Sequence, residues 1–224
     1  MKIISIEPNG NKKNKKNKIL LDNDTYFYLY DSEIKKLDLH EDCEIDVVLY
    51  DVIFEEYLFA RAKKKALAIL DKTMSSKEQI RTKLRRNDFG DNVIDKVIAL
   101  LEEYNLLNDY EYTRAYIASY QNKKSMRELK FELQKRGIDR QIIDELLSEL
   151  DSSELEIANI EKIVRKYRDS EGNIPVEKRQ KIMASLYRKG YDKNNILRVL
   201  DKGEYWVMKC VKCGYIELYA NCHS

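Results

Sequence analysis

The fold is decided by Ser76-Lys77-Glu78-Gln79-Ile80, a stretch that recurs 49 residues later as Ser125-Met126-Arg127-Glu128-Leu129. The same offset matches Leu84 to Leu133. A shift of 53 residues leads to a third copy through five pairs: Leu129 with Ile182, Leu133 with Leu186, Gly137 with Gly190, Ile143 with Ile196, and Leu147 with Leu200. Repeats of this size are supersecondary units that stack to bury their apolar faces. The sequence therefore predicts a tandem array whose long surface binds a partner.

The second helix of each unit begins at a recognisable signal. Ser76 and Gln79 have the spacing of a capping box, in which each side chain satisfies a backbone N–H of the other residue. Ser125 and Glu128 repeat this spacing. In the third unit we expect Pro175 to open the helix, since a first-turn proline loses no helical hydrogen bond.

The second helices also end alike. Gly137 and Gly190 stand where a helix C-terminus favours a left-handed residue. Asp88 takes this place in the first unit, and Asp tolerates that conformation better than most residues. A third helix follows each turn, and the three are expected at Val93 to Tyr104, Ile142 to Leu150, and Asn195 to Leu200. The unit is therefore three helices, repeated three times.

The N-terminal quarter follows a different pattern. Short apolar or aromatic segments at Lys2 to Glu7, Lys18 to Leu21 and Thr25 to Tyr30 predict a small β-meander. The lysine-rich run from Asn11 to Lys18 is either a solvated hairpin loop or a phosphate-contacting finger. Helices are expected from about Glu55 onward, where apolar residues take up helical spacing.

These patterns predict a mainly α protein in which three three-helix units form an elongated, curved array behind a small β-containing N-terminal segment. The expected divisions are a β-rich segment at 1–54, helical repeats at 55–107, 108–151 and 152–202, and a C-terminal extension at 203–224.

Composition excludes several classes of protein. Among 224 residues, 43% are hydrophobic and 36% are charged, which is a globular balance with a well-solvated exterior. The net charge of +2 means that any nucleic-acid contact must come from local patches. The sequence contains neither an apolar run of membrane-spanning length nor a signal-peptide pattern, so we expect a cytoplasmic protein without a membrane partner.

No catalytic arrangement is recognisable in the sequence. It lacks a Gly-x-x-x-x-Gly-Lys phosphate loop, so ATP hydrolysis is not expected of this chain. Its two histidines are His40, which we expect at the surface of an acidic loop, and His223. We therefore expect a protein that is not an enzyme and needs no cofactor.

The segment Leu106 to Ile117 joins the first and second units. Asn108 is a good N-cap for the helix that follows. Tyr112, Ala115 and Tyr116 are expected to form its inward stripe.

This segment, taken with Glu128-Leu129 and Lys135-Arg136-Gly137-Ile138, resembles the RecX family, whose members regulate the bacterial RecA recombinase. The resemblance also includes the tandem repeats, the strand-rich N-terminus and the helix at Ala66 to Leu70. It covers roughly residues 1 to 202.

The resemblance implies a monomeric regulator that lies in the groove of a RecA filament on single-stranded DNA. Family members block filament growth, lower ATP turnover and suppress strand exchange, within homologous recombination, DNA repair and the SOS response. A stand-alone nucleic-acid-binding module and a helical scaffold for an unrelated partner remain alternatives.

Cations on the second helices and their ends are the candidate contacts to RecA or DNA. Lys123, Arg127 and Lys130 have the spacing of one helical face, which either binds the filament or is a solvated face balanced by acidic residues. Arg114 is either a contact or part of an intramolecular ion pair. The full candidate set is Arg81, Arg85, Arg86, Arg114, Lys123, Lys124, Arg127, Lys130, Lys135, Arg136, Arg188 and Lys189.

The tail departs from the RecX pattern. Cys210-x-x-Cys213 is spaced like half of a zinc knuckle, and Cys222 with His223 would complete four ligands. The alternative is a β-prone or disordered extension without metal.

Overall fold

A computed structural model of the chain describes residues 1–9, 16–150, 152–170 and 172–200. The described chain opens with three antiparallel strands in the order β1-β2-β3. Their bounds are β1, Ile3–Pro8; β2, Lys16–Leu21; and β3, Tyr26–Tyr30. The predicted β-meander is thus confirmed.

The inner face of this sheet is apolar because side chains alternate along each strand. Ile19 is fully buried on the central strand, opposite Ile6 of β1 and Phe27 of β3. The buried face continues into the core of the first helices, which includes Ile53 and Ala62.

Lys16 corrects the prediction of a solvated lysine loop from Asn11 to Lys18. It is 6% exposed in β2, and its Nζ donates to the Asn87 carbonyl oxygen at 2.9 Å. The amine also lies 3.4 Å from Asp88 Oδ2. Burial lowers the pKa of Lys16, and the neighbouring Asp88 carboxylate opposes that shift. The rest of the predicted finger, residues 10–15, lies outside the described residues.

Helices begin earlier than the predicted position near Glu55. α1 spans Asp31–Lys36, and α2 spans Val47–Val52. Asp46 starts α2 by accepting the Leu49 backbone N–H at 2.7 Å, a cap that the sequence reading overlooked. A π-helical segment, Ile53–Phe59, then leads directly into α3.

Within the described residues, nine further helices follow in three groups of three, which confirms the predicted unit. A 3₁₀ turn at Arg165–Tyr167 interrupts the last group. The bounds are α3, Ala60–Leu70; α4, Lys77–Arg85; α5, Asp91–Glu103; α6, Asp109–Tyr120; α7, Met126–Lys135; α8, Arg140–Ser148; α9, Ser152–Val164; α10, Val176–Arg188; and α11, Lys193–Leu200.

The predicted helix starts at Ser76 and Ser125 are confirmed, whereas the predicted position of Pro175 is not. Ser76 and Gln79 form the predicted capping box, and Ser125 Oγ accepts the Glu128 backbone N–H at 3.1 Å. Pro175 is not in the first turn of α10, because it precedes the first helical residue as the N-cap.

The predicted left-handed residues are also present. Gly137 has φ +76°, Gly190 has φ +85° and Asp88 has φ +65°. Each lies just beyond the C-terminus of the second helix in its unit. The three units therefore share this backbone conformation as well as the sequence pattern.

The predicted inward stripe of α6 is partly wrong. Tyr112 and Tyr116 are buried, but Ala115 is exposed. The buried face instead includes Thr113 and Ile117. Thr113, Tyr116 and Ile117 follow Tyr112 by one, four and five positions, and these spacings place them on the same side of a helix.

Contacts divide the described chain into two compact bodies, whose bounds differ from those of the three-helix units. The first body comprises 1–112 together with 136–138, and the second body comprises 113–135 and the described residues from 139 onward. In the second body, a core around Ile160, Leu186 and Ile196 joins α9, α10 and α11. No helix in the described part of the chain is both long enough and apolar enough to cross a bilayer.

Candidate interaction surface

The predicted cations of α4 are engaged within the chain. Arg81 pairs with Asp95 and lies 3.7 Å from Glu78. Arg85 Nε lies 2.8 Å from Asp91 Oδ1, and this hydrogen bond raises the pKa of Arg85. Both guanidinium groups therefore meet carboxylates of the same unit.

Two predicted cations near α7 are engaged as well. The Lys124 amine pairs with Glu132, lies 3.7 Å from Glu128, and is positioned over the Tyr120 ring. Lys130 pairs with Asp144 of α8.

The predicted shared face of Lys123, Arg127 and Lys130 is wrong. Lys123 lies in the turn before α7, because the helix begins only after its Ser125 cap. Helical spacing therefore relates Arg127 to Lys130 but does not extend back to Lys123.

The other predicted cations lie elsewhere on the surface. Arg114 is exposed on α6. Arg136 is half-buried, and its carbonyl oxygen accepts a hydrogen bond from Ser76 Oγ at 2.6 Å. Six candidates are exposed and have no carboxylate partner among the described residues: Arg86, Lys123, Arg127, Lys135, Arg188 and Lys189.

Three of those six surround one groove between α7 and α10, the α7–α10 groove. α7 contributes Arg127, and the end of α10 contributes Arg188 and Lys189. The remaining lining residues are Glu128, Phe131 and Tyr187.

Two aromatic side chains in this groove are not among the predicted contact residues. Phe131 is 65% exposed and Tyr187 is 61% exposed. A signal was available for Phe131, because Leu129 and Leu133 are the core positions of α7 and a residue midway between them points away from the core.

The groove is bordered by a tightly closed turn. Ser125 Oγ donates to the Lys189 carbonyl oxygen at 2.6 Å. At Gly190, a Cβ atom would lie 2.7 Å from Arg127 Cβ, so the turn packs against the base of the Arg127 side chain. The next residue, Tyr191, is buried, and desolvation together with Glu128 and Glu156 raises its pKa to about 12.

Comparison with known proteins identifies the family. The family models described as "RecX, first three-helix domain" and "RecX, second three-helix domain" match residues 62–101 and 108–147. The regulatory protein RecX of Clostridium perfringens (strain 13 / Type A) is 30% identical over 210 residues, which cover 91% of this chain and 98% of that protein. The chain belongs to the RecX family. The RecX of Clostridium acetobutylicum is also 30% identical, with 88% and 94% of the two chains covered.

Solved RecX structures share the fold. A crystal structure of regulatory protein RecX superposes with a TM-score of 0.57 at 23% identity, covering 90% of this chain and 98% of that one. RecX from Lactobacillus salivarius gives a TM-score of 0.54 at 25% identity, covering 64% of this chain and 95% of that one. The predicted RecX resemblance is therefore confirmed.

The predicted zinc ligands of this RecX chain, Cys210, Cys213, Cys222 and His223, lie outside the described residues. Within the described ranges, no group of three or more His, Cys, Asp or Glu side chains is arranged to hold a metal. Cys43 is half-buried, and His40 is exposed as predicted.

Proposed function

We propose that this protein binds the RecA filament on single-stranded DNA, in the filament groove, and restrains it. It inhibits filament extension, ATP hydrolysis and strand exchange, and acts as a cytoplasmic monomer that catalyses no reaction and requires no cofactor. The observation that carries the proposal is family membership over nearly the full length of a regulatory protein RecX.

The distribution of charge supports this proposal. A net charge of +2 gives no general attraction to DNA, so contact must come from a local surface. Arg127, Arg188 and Lys189 supply such a surface in the α7–α10 groove. The other exposed cations, including Arg86 and Lys135, remain candidate contacts, as does Arg114.

The second candidate function is a stand-alone nucleic-acid-binding module. The same three cations favour it, because none of them is neutralised by a carboxylate of the described chain. This alternative predicts tight DNA binding without RecA and a steep loss of affinity with salt.

The test is single-stranded-DNA-dependent ATP hydrolysis by RecA, with this protein titrated from far below to equal stoichiometry. Inhibition at substoichiometric amounts is the expected result, because one bound regulator stops growth for many protomers. An unchanged rate at equal stoichiometry, with circular dichroism showing a folded protein, would contradict the proposal. Adding this protein before or after filament assembly separates blocked extension from competition for DNA.

The division into 1–54, 55–107, 108–151, 152–202 and 203–224 stays a prediction. Limited proteolysis with mass spectrometry of the fragments tests it, since cleavage is expected first in exposed connections between units.

A further inference from the structure

The α7–α10 groove combines exposed aromatic rings with exposed cations. Phe131 and Tyr187 present large aromatic surfaces to solvent. All five phenylalanines of the chain lie in its described part, and the other four are buried or half-buried. Phe131 therefore departs from the general placement of aromatic side chains in this protein.

Half of the six exposed candidate cations without a carboxylate partner in the described chain lie in this groove. Arg81, Lys124 and Lys130 all pair with carboxylates. Arg127, Arg188 and Lys189, in contrast, have no carboxylate partner among the described residues. Glu128 is the one acidic lining residue, and the Lys124 amine lies 3.7 Å from its carboxylate. The groove thus presents positive charge that is not used within the described chain.

The groove is also held in shape before any ligand arrives. The Ser125–Lys189 hydrogen bond ties the start of α7 to the end of α10. The Gly190 turn packs against the Arg127 stem, which fixes where that side chain leaves the helix. Pre-organised walls reduce the ordering cost of binding.

We propose that this groove binds unpaired nucleotides, with Phe131 and Tyr187 stacking on bases while Arg127, Arg188 and Lys189 contact phosphates. Exposed aromatic rings beside unpaired cations match the two surfaces of single-stranded nucleic acid, the base faces and the charged backbone. A duplex already stacks its bases internally, so it offers the cations phosphates but leaves the rings without a partner. The groove therefore prefers single strands.

This inference rests on the proposed function, because it gives the regulator a direct contact to the single-stranded DNA of the filament. The inference differs from the proposed function in one respect, because binding of unpaired nucleotides by the groove requires no RecA. The two can therefore fail separately.

The experiment measures binding of the full chain, without RecA, to a fluorescent 20-nucleotide oligo(dT) and to a duplex of equal length, by anisotropy. The main variant is Phe131→Ala with Tyr187→Ala. We expect it to weaken oligo(dT) binding by at least roughly 30-fold, the lower limit for the loss of two base stacks. The swapped variant, Phe131→Tyr with Tyr187→Phe, keeps both rings and should bind within about twofold of the parent.

Matched controls separate stacking from general loss of aromatic surface. Tyr26 and Tyr104 are 52% and 65% exposed outside the groove, so their double alanine variant should leave oligo(dT) binding unchanged. Changing Arg127, Arg188 and Lys189 to Gln should flatten the salt dependence by about two in log–log slope, since three phosphate contacts to a single strand are lost. The aromatic variant should retain the parent slope.

Ultraviolet crosslinking with 5-iodouracil oligonucleotides then locates the contact, and crosslinks at Phe131 or Tyr187 support the inference. It is overturned if the folded parent fails to bind oligo(dT), if it binds duplex equally well, or if the aromatic variant binds like the parent. Loss of RecA inhibition by the aromatic variant, with oligo(dT) binding unchanged, would instead assign the groove to a polypeptide partner. In each of these cases, inhibition of RecA by the parent protein in the ATP-hydrolysis assay would be unaffected. That assay therefore tests the proposed function independently.

Discussion

The Ser125 side chain joins two helix ends, because its Oγ donates to the Lys189 carbonyl oxygen at 2.6 Å while accepting the Glu128 backbone N–H at 3.1 Å. One hydroxyl thus caps the start of α7 and satisfies a carbonyl at the end of α10. Ser76, at the start of α4, makes the equivalent pair of bonds, to the Arg136 carbonyl oxygen just after α7 and with the Gln79 backbone N–H. Both serines are fully buried, so water cannot replace either bond.

Ser125→Ala should lower the free energy of unfolding by about 1–3 kcal/mol, since a helix cap is lost and a carbonyl loses its donor. Urea denaturation followed by circular dichroism measures this. Ser119→Ala is the matched control, because Ser119 Oγ is exposed and donates only within its own helix, to Ala115 O. That variant should stay within about 0.5 kcal/mol of the parent. Equal effects of the two substitutions would show that the Ser125 link contributes nothing.

Gly190→Ala and Gly172→Ala form a second matched pair. Their φ angles are nearly equal, at +85° and +86°, so both substitutions incur the left-handed backbone cost of about 1–2 kcal/mol. At Gly172 nothing lies within 4 Å of an added Cβ, whereas at Gly190 that atom would lie 2.7 Å from Arg127 Cβ.

Gly190→Ala should therefore be the more destabilising, by about a further 1–3 kcal/mol of overpacking. Chemical denaturation of both variants gives the difference directly. Identical losses would mean that the turn has room to move away from Arg127, and that the groove wall is not fixed there.

Much of the fold was predictable because it depends on local rules. Ser76, Ser125, Gly137 and Gly190 each act through backbone geometry within a few residues, and such geometry leaves a mark in sequence. The long-range hydrogen bonds of the two serines were not predictable. The hydrogen bond from Ser125 to Lys189 joins residues 64 positions apart, and no periodicity in the sequence indicates it.

The candidate site residues likewise divide into features that local sequence predicts and features that depend on tertiary contacts. The sequence indicated which cations lie near the second helices, but whether each one is paired depends on tertiary contacts, as for Lys130 and Asp144. The predicted helical face that includes Lys123 conflicts with the Ser125 cap, which the sequence already indicates as the start of α7. A lysine-rich run is usually solvated and therefore predicts a loop at Lys16, yet folding brings its amine against the Asn87 carbonyl oxygen.

Arg127 and Lys130 allow a test within one helix. Arg127→Gln should weaken inhibition of RecA severalfold, since this side chain is exposed and has no carboxylate partner in the described chain. Lys130→Gln should leave inhibition unchanged and cost at most about 1 kcal/mol of stability, because it removes a partly exposed ion pair with Asp144. ATP-hydrolysis titrations and denaturation curves for both variants provide the comparison. The opposite ranking in the inhibition assay would remove Arg127 from the interface.

Tyr191 should make the protein lose stability at alkaline pH. Burial raises its pKa from an ordinary 10.0 to about 12, and Glu128 and Glu156 add to the shift. Between pH 10 and 12 the unfolded chain releases this proton while the folded chain retains it, so the free energy of unfolding falls as pH rises. The stabilisation is fully present below pH 10, and its loss approaches about 1.4 kcal/mol per pH unit within the window.

Tyr191→Phe removes the ionisable group, so its stability should fall less steeply than that of the parent between pH 9.5 and 11. Urea denaturation at half-unit pH steps measures both curves, and the other tyrosines affect the two proteins equally. Tyr187→Phe is the matched control, because that side chain is 61% exposed and lies four positions away. It should follow the parent curve. If the Tyr191→Phe curve instead ran parallel to the parent, ionisation of Tyr191 would not be coupled to folding of the turn that closes the α7–α10 groove.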